Sequence, residues 1–385
     1  MWSNKYSNVV NATNISNMHL NKLTLSNFKN ISQEEFSFCK NVNCFVGENG
    51  AGKTNILDAI YYLSLCKSYF SNIDANNIKH ESDFFSIHGL YDMDENGNIE
   101  KYSCVVQRGV KKIFKLDDNP YTKLAQHICK IPLVIITPSD QELIIGQSFI
   151  RRKFVDIVLS QAIPLYVQNL SDYNRALQQR NICLKKCNST SLSDLETIKL
   201  LDEQLISLGK EVHIARKKFI NEFSSIVQYY YNYISSEKEQ VRLQYQSQDL
   251  ENNFRNLLLE SRERDIFLGY TTIGVHKDDL LLKMNQYEVK KYASQGQQKS
   301  FLIALKLAQF EYLFKKTKLK PILLLDDIFD KLDLSRIKQL MSLVGSDRFG
   351  QVFLTDTQIE RIKEIFLNQD VEHRIYKISN GRMEI

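Results

Sequence analysis

From His19 to Phe28 apolar and polar positions alternate, with Leu23 and Leu25 on one side, which predicts a strand. Phe36 and Phe38 repeat the alternation after a polar gap and predict a second strand, in hairpin relation to the first. Val42 to Val46 is almost continuously apolar, as in a strand buried on both faces. A Gly-rich loop follows. From Lys53 the period changes, and Ile56, Leu57, Ile60 and Tyr61 recur on one face of a helix. Further strand-like segments fall at 85–91, 101–107 and 111–116, and Asp94-Glu95-Asn96-Gly97-Asn98 is a turn between the first two.

After Pro132 and Pro138 the pattern turns helical, from about 149 to 235. Leu195, Ile198, Leu201, Leu205, Leu208, Val212, Ala215, Phe219, Phe223, Ile226, Tyr230 and Tyr233 follow one another at threes and fours, a heptad-like seam. A helix of that span is about 60 Å long. Strand and turn patterns return near Tyr270, and 321–327 is a short buried strand. The expected organisation is an Asn/Ser-rich, poorly ordered tail over 1–17 and an α/β lobe in two sequence halves, 18–148 and 263–385. An all-helical arm, 149–262, is inserted between the halves.

Composition narrows the class without choosing the chemistry. The 385 residues are 43% hydrophobic and 25% charged, ordinary for a well-cored globular chain. No run of about 18 apolar residues is present, so no membrane span is expected. The N-terminal segment lacks the apolar core of a signal peptide. Cysteines at 39, 44, 66, 104, 129, 183 and 187, odd in number and without a C-x-x-C pair, argue against a disulfide framework or zinc site. A cytoplasmic location is the expectation. The net charge of +5 is too mild to establish nucleic-acid binding.

Candidate chemistry begins with Gly47-Glu48-Asn49-Gly50-Ala51-Gly52-Lys53-Thr54, which fits G-x-x-x-x-G-K-[ST] between a buried strand and a helix. Glycines let the backbone turn its N–H groups toward phosphate oxygens, and the helix N-terminus favours the same anion. Lys53 is expected to reach the β- and γ-phosphates of ATP, and Thr54 to ligate Mg²⁺. Pro321-Ile322-Leu323-Leu324-Leu325-Asp326-Asp327 delivers two carboxylates at the end of a buried strand. Asp326 is placed on the metal side, and Asp327 where a catalytic base or water-orienting residue is needed. About 270 residues separate Lys53 from Asp326, more than a compact P-loop domain requires. Ala293-Ser294-Gln295-Gly296-Gln297-Gln298 opens a helical run and is either an ordinary N-cap or a second anion-binding device.

These three elements, in this order, resemble the ABC-type ATPase head, and the wider pattern resembles the RecF family of bacterial recombination and replication-repair proteins. The resemblance rests on Leu23-x-Leu25-x-Asn27-Phe28-Lys29-Asn30, and on Thr137-Pro138-Ser139-Asp140 through Gly146. It rests also on Arg151-Arg152-Lys153-Phe154-Val155-Asp156 and Gly274-Val275-His276-Lys277-Asp278-Asp279-Leu280. It covers 18–385. It implies two heads closing on two ATP molecules, with Ser294, Gly296 and Gln297 of one protomer facing the γ-phosphate held by Lys53 of the other. ATP then joins a homodimer, and weak, DNA-stimulated hydrolysis releases it. The resemblance further implies binding at junctions of single- and double-stranded DNA, cooperation with RecO and RecR in loading the recombinase, and a role in the SOS response.

Two departures from the usual ABC head accompany it. Asp327 stands where many heads have Glu, and Thr355-Asp356-Thr357 follows the strand after which many place a His. Thr355 or Asp356 is a candidate for the γ-phosphate region, and Asp140 or Gln141 for the Q-loop. Candidate DNA-contacting clusters are Arg151-Arg152-Lys153, Lys185-Lys186, Arg216-Lys217-Lys218 and Lys315-Lys316-x-Lys318-x-Lys320, each of which could equally be a solvated helix face. Competing classes are a transporter ATPase subunit, an SMC- or Rad50-like chromosome protein, and a nuclease. The nuclease would need acids beyond Asp330 and Asp333.

Overall fold

The computed structural model describes residues 18–94, 97–186, 192–235, 239–329, 339, 349–367 and 371–384. The tail expected over 1–17, part of the 94–98 turn, and Asp330 and Asp333 lie outside the described residues. Two compact units are distinguished: one draws on Met1–Thr137 and Leu313–Ile385, the other on Pro138–Tyr312.

The first unit holds two six-stranded sheets. One is antiparallel, in the order β2-β1-β4-β5-β6-β7: β1 His19–Phe28, β2 Ile31–Ser37, β4 Phe84–Asp92, β5 Ile99–Gln107, β6 Ile113–Leu116 and β7 Asn119–Pro120. The other runs β15-β14-β3-β13-β12-β8. Its strands β3 Val42–Val46, β8 Leu133–Ile136, β12 Ile322–Leu325, β13 Val352–Asp356 and β14 His373–Ser379 are parallel, and β15 Arg382–Glu384 is an antiparallel edge. β3, β8, β12 and β13 are buried along their whole length, which explains the unbroken apolar sequences of β8 and β12, while the buried polar side chains Asn43 of β3 and Thr355 and Asp356 of β13 are hydrogen-bonded.

Helix α1, Lys53–Leu65, touches strands of both sheets. The single apolar face expected there is therefore too narrow, because Asp58, Tyr62 and Ser64 on other sides are buried as well. The buried Asp58 carboxylate is paired with Lys29 Nζ at 2.6 Å. Phe36, Phe38, Phe45, Phe353 and Tyr376 form an edge-to-face aromatic cluster drawn from strands of both sheets and the Phe38 loop.

The second unit contains α2 Glu142–Ile145, α3 Ser148–Ala162, α4 Pro164–Lys186, α5 Leu192–Ser235, α6 Phe254–Leu268, α7 Val289–Tyr292 and most of α8 Gln295–Thr317. It also holds the three-stranded sheet β11-β10-β9: β9 Val241–Gln246, β10 Asp279–Met284 and β11 Tyr287–Glu288. The span expected to be wholly helical, 149–262, thus includes one strand, β9, whose pairing partner β10 lies outside that span. Short alternation of this kind is unreadable without the strand across from it.

At 44 residues, α5 is about 65 Å long. Ile198, Leu201, Leu205, Val212, Phe219, Phe223 and Tyr230 of its seam are buried. At the C-terminal end the buried stripe moves by one position: Tyr233 is 38% exposed, whereas Val227, Tyr231 and Ile234 are buried. A 3.6-residue turn drifts about 20° per heptad against a 3.5 repeat, so a seam read at constant phase runs off the core face. Gly209 lies mid-helix because a Cβ there would stand 2.7 Å from the Phe254 ring and 3.0 Å from that of Tyr173.

Candidate functional site

In the first unit β3 runs into the loop 47–52, whose backbone closes on itself as Ala51 N–H donates to the Glu48 carbonyl. Gly50 and Gly52 have φ of +83° and +110°, a region L side chains rarely adopt. Gly52 has a second constraint: a Cβ there would lie 2.9 Å from the Asn30 amide. Asn30 accepts a hydrogen bond from Asn55 Nδ2 at 2.8 Å, and Gly381 N–H donates to the Ala51 carbonyl at 2.7 Å. The loop is thus held from the β1–β2 turn on one side and the β14–β15 turn on the other. Asn30 and Gly381 were not singled out as site residues. Their signals in the sequence are the Asn27-Phe28-Lys29-Asn30 block and an Asn380-Gly381 turn dipeptide.

Lys53 is 4% exposed, and its Nζ donates to the Gly47 and Glu48 carbonyls at 2.8 and 3.0 Å. Among the described residues it meets no carboxylate within ion-pair distance, so a buried ammonium faces neutral partners beside the loop's N–H groups. That charge balance fits a phosphate.

Thr54 Oγ1 donates to Asp326 Oδ1 at 2.8 Å, which joins the P-loop to the end of β12 across 272 positions. Thr355 Oγ1 donates to the same oxygen at 3.0 Å and lies 3.3 Å from Asp327 Oδ1, while Asp327 N–H donates to Thr355 Oγ1 at 2.9 Å. Asp327 has φ of +44°. Burial pushes the Asp326 carboxyl above the usual range, against the two hydroxyl bonds that favour its charged form. A hydroxyl and a carboxylate side by side match the preference of Mg²⁺ for a few protein oxygens with phosphate completing its shell. Thr355 and Asp356, the two candidates for the γ-phosphate region, are the last two residues of β13, and Thr355 touches both carboxylates. The Asp356 carboxylate instead accepts from Gln358 N–H and pairs with Arg361 at 3.5 Å.

In the second unit Ser294 and Gln297 form a reciprocal cap on α8: Gln297 N–H donates to Ser294 Oγ at 3.2 Å, and Ser294 N–H donates to Gln297 Oε1 at 2.8 Å. Ser294 is exposed. The two Q-loop candidates diverge. Asp140 is buried against Lys306 Nζ at 2.6 Å, and Gln141 donates to Gln298 Oε1 at 2.9 Å.

The arginines of two of the candidate basic clusters are paired inside the unit, while Lys153 and Lys218 of the same clusters are exposed. Arg151 makes a bidentate pair with Asp279 at 2.8 Å, and Arg152 Nη1 donates to the Asp278 carbonyl at 2.6 Å. Arg216 is buried between Asp156 at 2.9 Å and Asp278 at 3.0 Å. These arginines brace α3, α5 and β10. The carboxylates of Asp156, Asp278 and Asp279 and the Asp278 carbonyl that accept from them are too far along the chain for a sequence window to pair them. Lys185, Lys186 and Lys218 are exposed.

A family model described as RecF/RecN/SMC N terminal domain matches residues 19–136. The DNA replication and repair protein RecF of Phocaeicola vulgatus is 45% identical over 368 residues, 95% of this chain and 98% of that protein. The protein of the same name from Flavobacterium johnsoniae is 45% identical over 363 residues, 94% of this chain and all of that one (100%). Among solved structures, one titled as the recombination mediator protein RecF-ATP in the RecFOR pathway has a TM-score of 0.86 at 27% identity, covering 97% of this chain and 98% of that chain. The Smc head domain from Pyrococcus furiosus, at 16% identity and a TM-score of 0.55 over 95% of both chains, is similar in fold alone.

Proposed function

Because this chain belongs to the RecF family of DNA replication and repair proteins, we propose that it acts in recombinational repair and replication restart as an ATP-switched DNA-binding clamp. The observation that carries this reading is the Lys53–Thr54–Asp326–Thr355 constellation, in which, among the described residues, a buried cation and a buried carboxylate each lack a partner of opposite charge at ion-pair distance. The loop N–H groups and Lys53 bind the β- and γ-phosphates of ATP. Thr54 and Asp326 hold Mg²⁺, which when bound neutralises charge on the phosphates. Asp327, positioned by Thr355, orients the attacking water. As the shorter homologue of Glu it suits slow turnover, in keeping with a switch.

Ser294, Gly296 and Gln297 of one protomer then face the γ-phosphate held by the other, so nucleotide makes the homodimer and hydrolysis releases it. The dimer binds DNA at junctions of single and double strands, and by family likeness works with RecO and RecR. Among the described residues no helix is long and apolar enough to cross a membrane.

The test is fluorescence anisotropy of a gapped duplex at physiological salt, with and without a non-hydrolysable ATP analogue. Binding should tighten with nucleotide and lose that dependence in Lys53→Met. Ser294→Arg should bind ATP and fail to dimerise. Dimerisation of Lys53→Met with ATP present would overturn the sandwich.

A further inference from the structure

The capping residues of α8 are connected to the far end of the long arm helix through one acidic side chain. Gln297 uses its amide oxygen on Ser294 N–H, and its amide nitrogen donates to Glu239 Oε1 at 2.5 Å. The other carboxylate oxygen of Glu239 accepts from the Tyr231 hydroxyl. Tyr231 is fully buried in the last turns of α5, with its ring 6.0 Å from that of Phe301 on α8. The backbone of Glu239 is fixed from the same helix, since Gln228 Nε2 donates to its carbonyl at 3.1 Å. Gln228 Oε1 also accepts from Val241 N–H at 2.7 Å, where β9 begins.

We propose that Glu239 is a positioning residue for nucleotide-dependent dimerisation, holding the Gln297 amide, and through it Ser294, in the orientation the opposite protomer's nucleotide requires. This rests on the dimer reading above. An amide has two rotameric faces, and Ser294 N–H selects the oxygen only if something else accepts from the nitrogen. Glu239 supplies that acceptor, and the charge on it strengthens the bond. Because Tyr231 shares the carboxylate, a shift at the end of α5 moves the cap of α8. The arm is thereby coupled to the γ-phosphate-facing residues by two hydrogen bonds.

The experiment compares Glu239→Ala, Glu239→Gln and Tyr231→Phe in the full chain. Sedimentation velocity with a non-hydrolysable ATP analogue gives the dimerisation constant, nucleotide titration of the dilute protein gives ATP affinity, and hydrogen exchange follows segments 293–300 and 47–54. Glu239→Ala should weaken dimerisation about tenfold, the value of one charge-assisted hydrogen bond. ATP affinity should hold, and exchange should quicken in 293–300 and not in 47–54. Glu239→Gln, whose amide oxygen still accepts, should stay within about threefold of the unmodified protein, and Tyr231→Phe should fall between. Unchanged dimerisation in Glu239→Ala, or a Gln variant as weak as Ala, overturns the assignment. If the unmodified protein stays monomeric with nucleotide, the dimer reading fails instead. The exchange pattern then decides Glu239: unchanged protection of 293–300 in Glu239→Ala would remove it from any positioning role.

Discussion

The second unit and the phosphate-loop site of the first treat buried charge in opposite ways. In the second unit, among the described residues, every deeply buried guanidinium is answered by carboxylates: Arg180 by Asp202 and Asp265 at 2.6 and 2.7 Å, and Arg216 by Asp156 and Asp278. Neutral donors complete the set, as Thr272 N–H and hydroxyl both reach Asp265 Oδ1. In the first unit, Lys53 has carbonyls and Asp326 has hydroxyls, and among the described residues neither meets its opposite. The contrast belongs to the site and not to the unit as a whole, because Asp58, on the same helix as Lys53, is neutralised by Lys29. A scaffold satisfies its own charges, whereas a binding site keeps some that only a ligand completes.

The contrast breaks most visibly at Arg180. Arg180→Met leaves Asp202 and Asp265 buried with too little positive charge, although Arg262 still reaches Asp202 at 3.0 Å. The expected loss is about 3–5 kcal/mol, read as faster hydrogen exchange through α4, α5 and α6. A loss below about 1 kcal/mol would mean that the network is worth no more than surface pairs, and the distinction between scaffold and site would fail.

Acid should weaken both units. Burial pushes His127, which donates from Nε2 to the Leu63 carbonyl, down to about 4. His276, between the Tyr173 hydroxyl and the Thr271 carbonyl, is likewise pushed by burial down to about 4. Both are neutral in the fold, while the unfolded chain takes up protons near 6.5. The stability they secure is therefore complete above pH 6.5 and drains away as pH falls to about 4, by up to about 3 kcal/mol for each. His127→Gln should flatten that slope in the first unit alone. A pH-independent unfolding midpoint between 7 and 4.5 would show that neither ring is held neutral.

At Asp326 the sign reverses. Burial raises its carboxyl, so the ionised form costs stability that the Asn replacement, still accepting through Oδ1, does not. Asp326→Asn should raise the stability of the nucleotide-free protein and abolish Mg²⁺-dependent ATP binding. A variant that is less stable, or that still binds Mg²⁺-ATP normally, would make Asp326 a scaffold residue.

The legibility of these features in the sequence follows their range. The phosphate loop is a local backbone device, and eight consecutive residues specify it. The strands β3 and β12 are legible because burial on both faces leaves β12 wholly apolar and β3 with Asn43 as its one polar residue. Arg151, Arg152 and Arg216 are hard to read in the sequence because a basic triplet looks alike whether it faces solvent or an acceptor more than 50 residues away. The seam of α5 was legible in kind and slipped in phase at Tyr233, where accumulated twist outruns a constant heptad. Asn30 and Gly381 act by propping a loop they do not belong to, which no motif records.

Thr355 is the smallest and sharpest test, because its hydroxyl alone links the two acids. Thr355→Val keeps the volume and the strand-forming β-branch of β13, and removes the donor to Asp326 along with the acceptor for Asp327 N–H. Stability should change by about 1 kcal/mol or less. ATP affinity without metal should hold, since Lys53 and the loop are untouched. The turnover number should fall about tenfold, as one positioning hydrogen bond on the water-orienting acid is lost, while the Mg²⁺ needed for half-maximal ATP binding rises. Thr355→Ser, which restores the hydroxyl without the methyl, should recover most of the rate. If Val and Ser turn over alike, the hydroxyl is a strand-end decoration and Asp327 is positioned by its left-handed backbone alone.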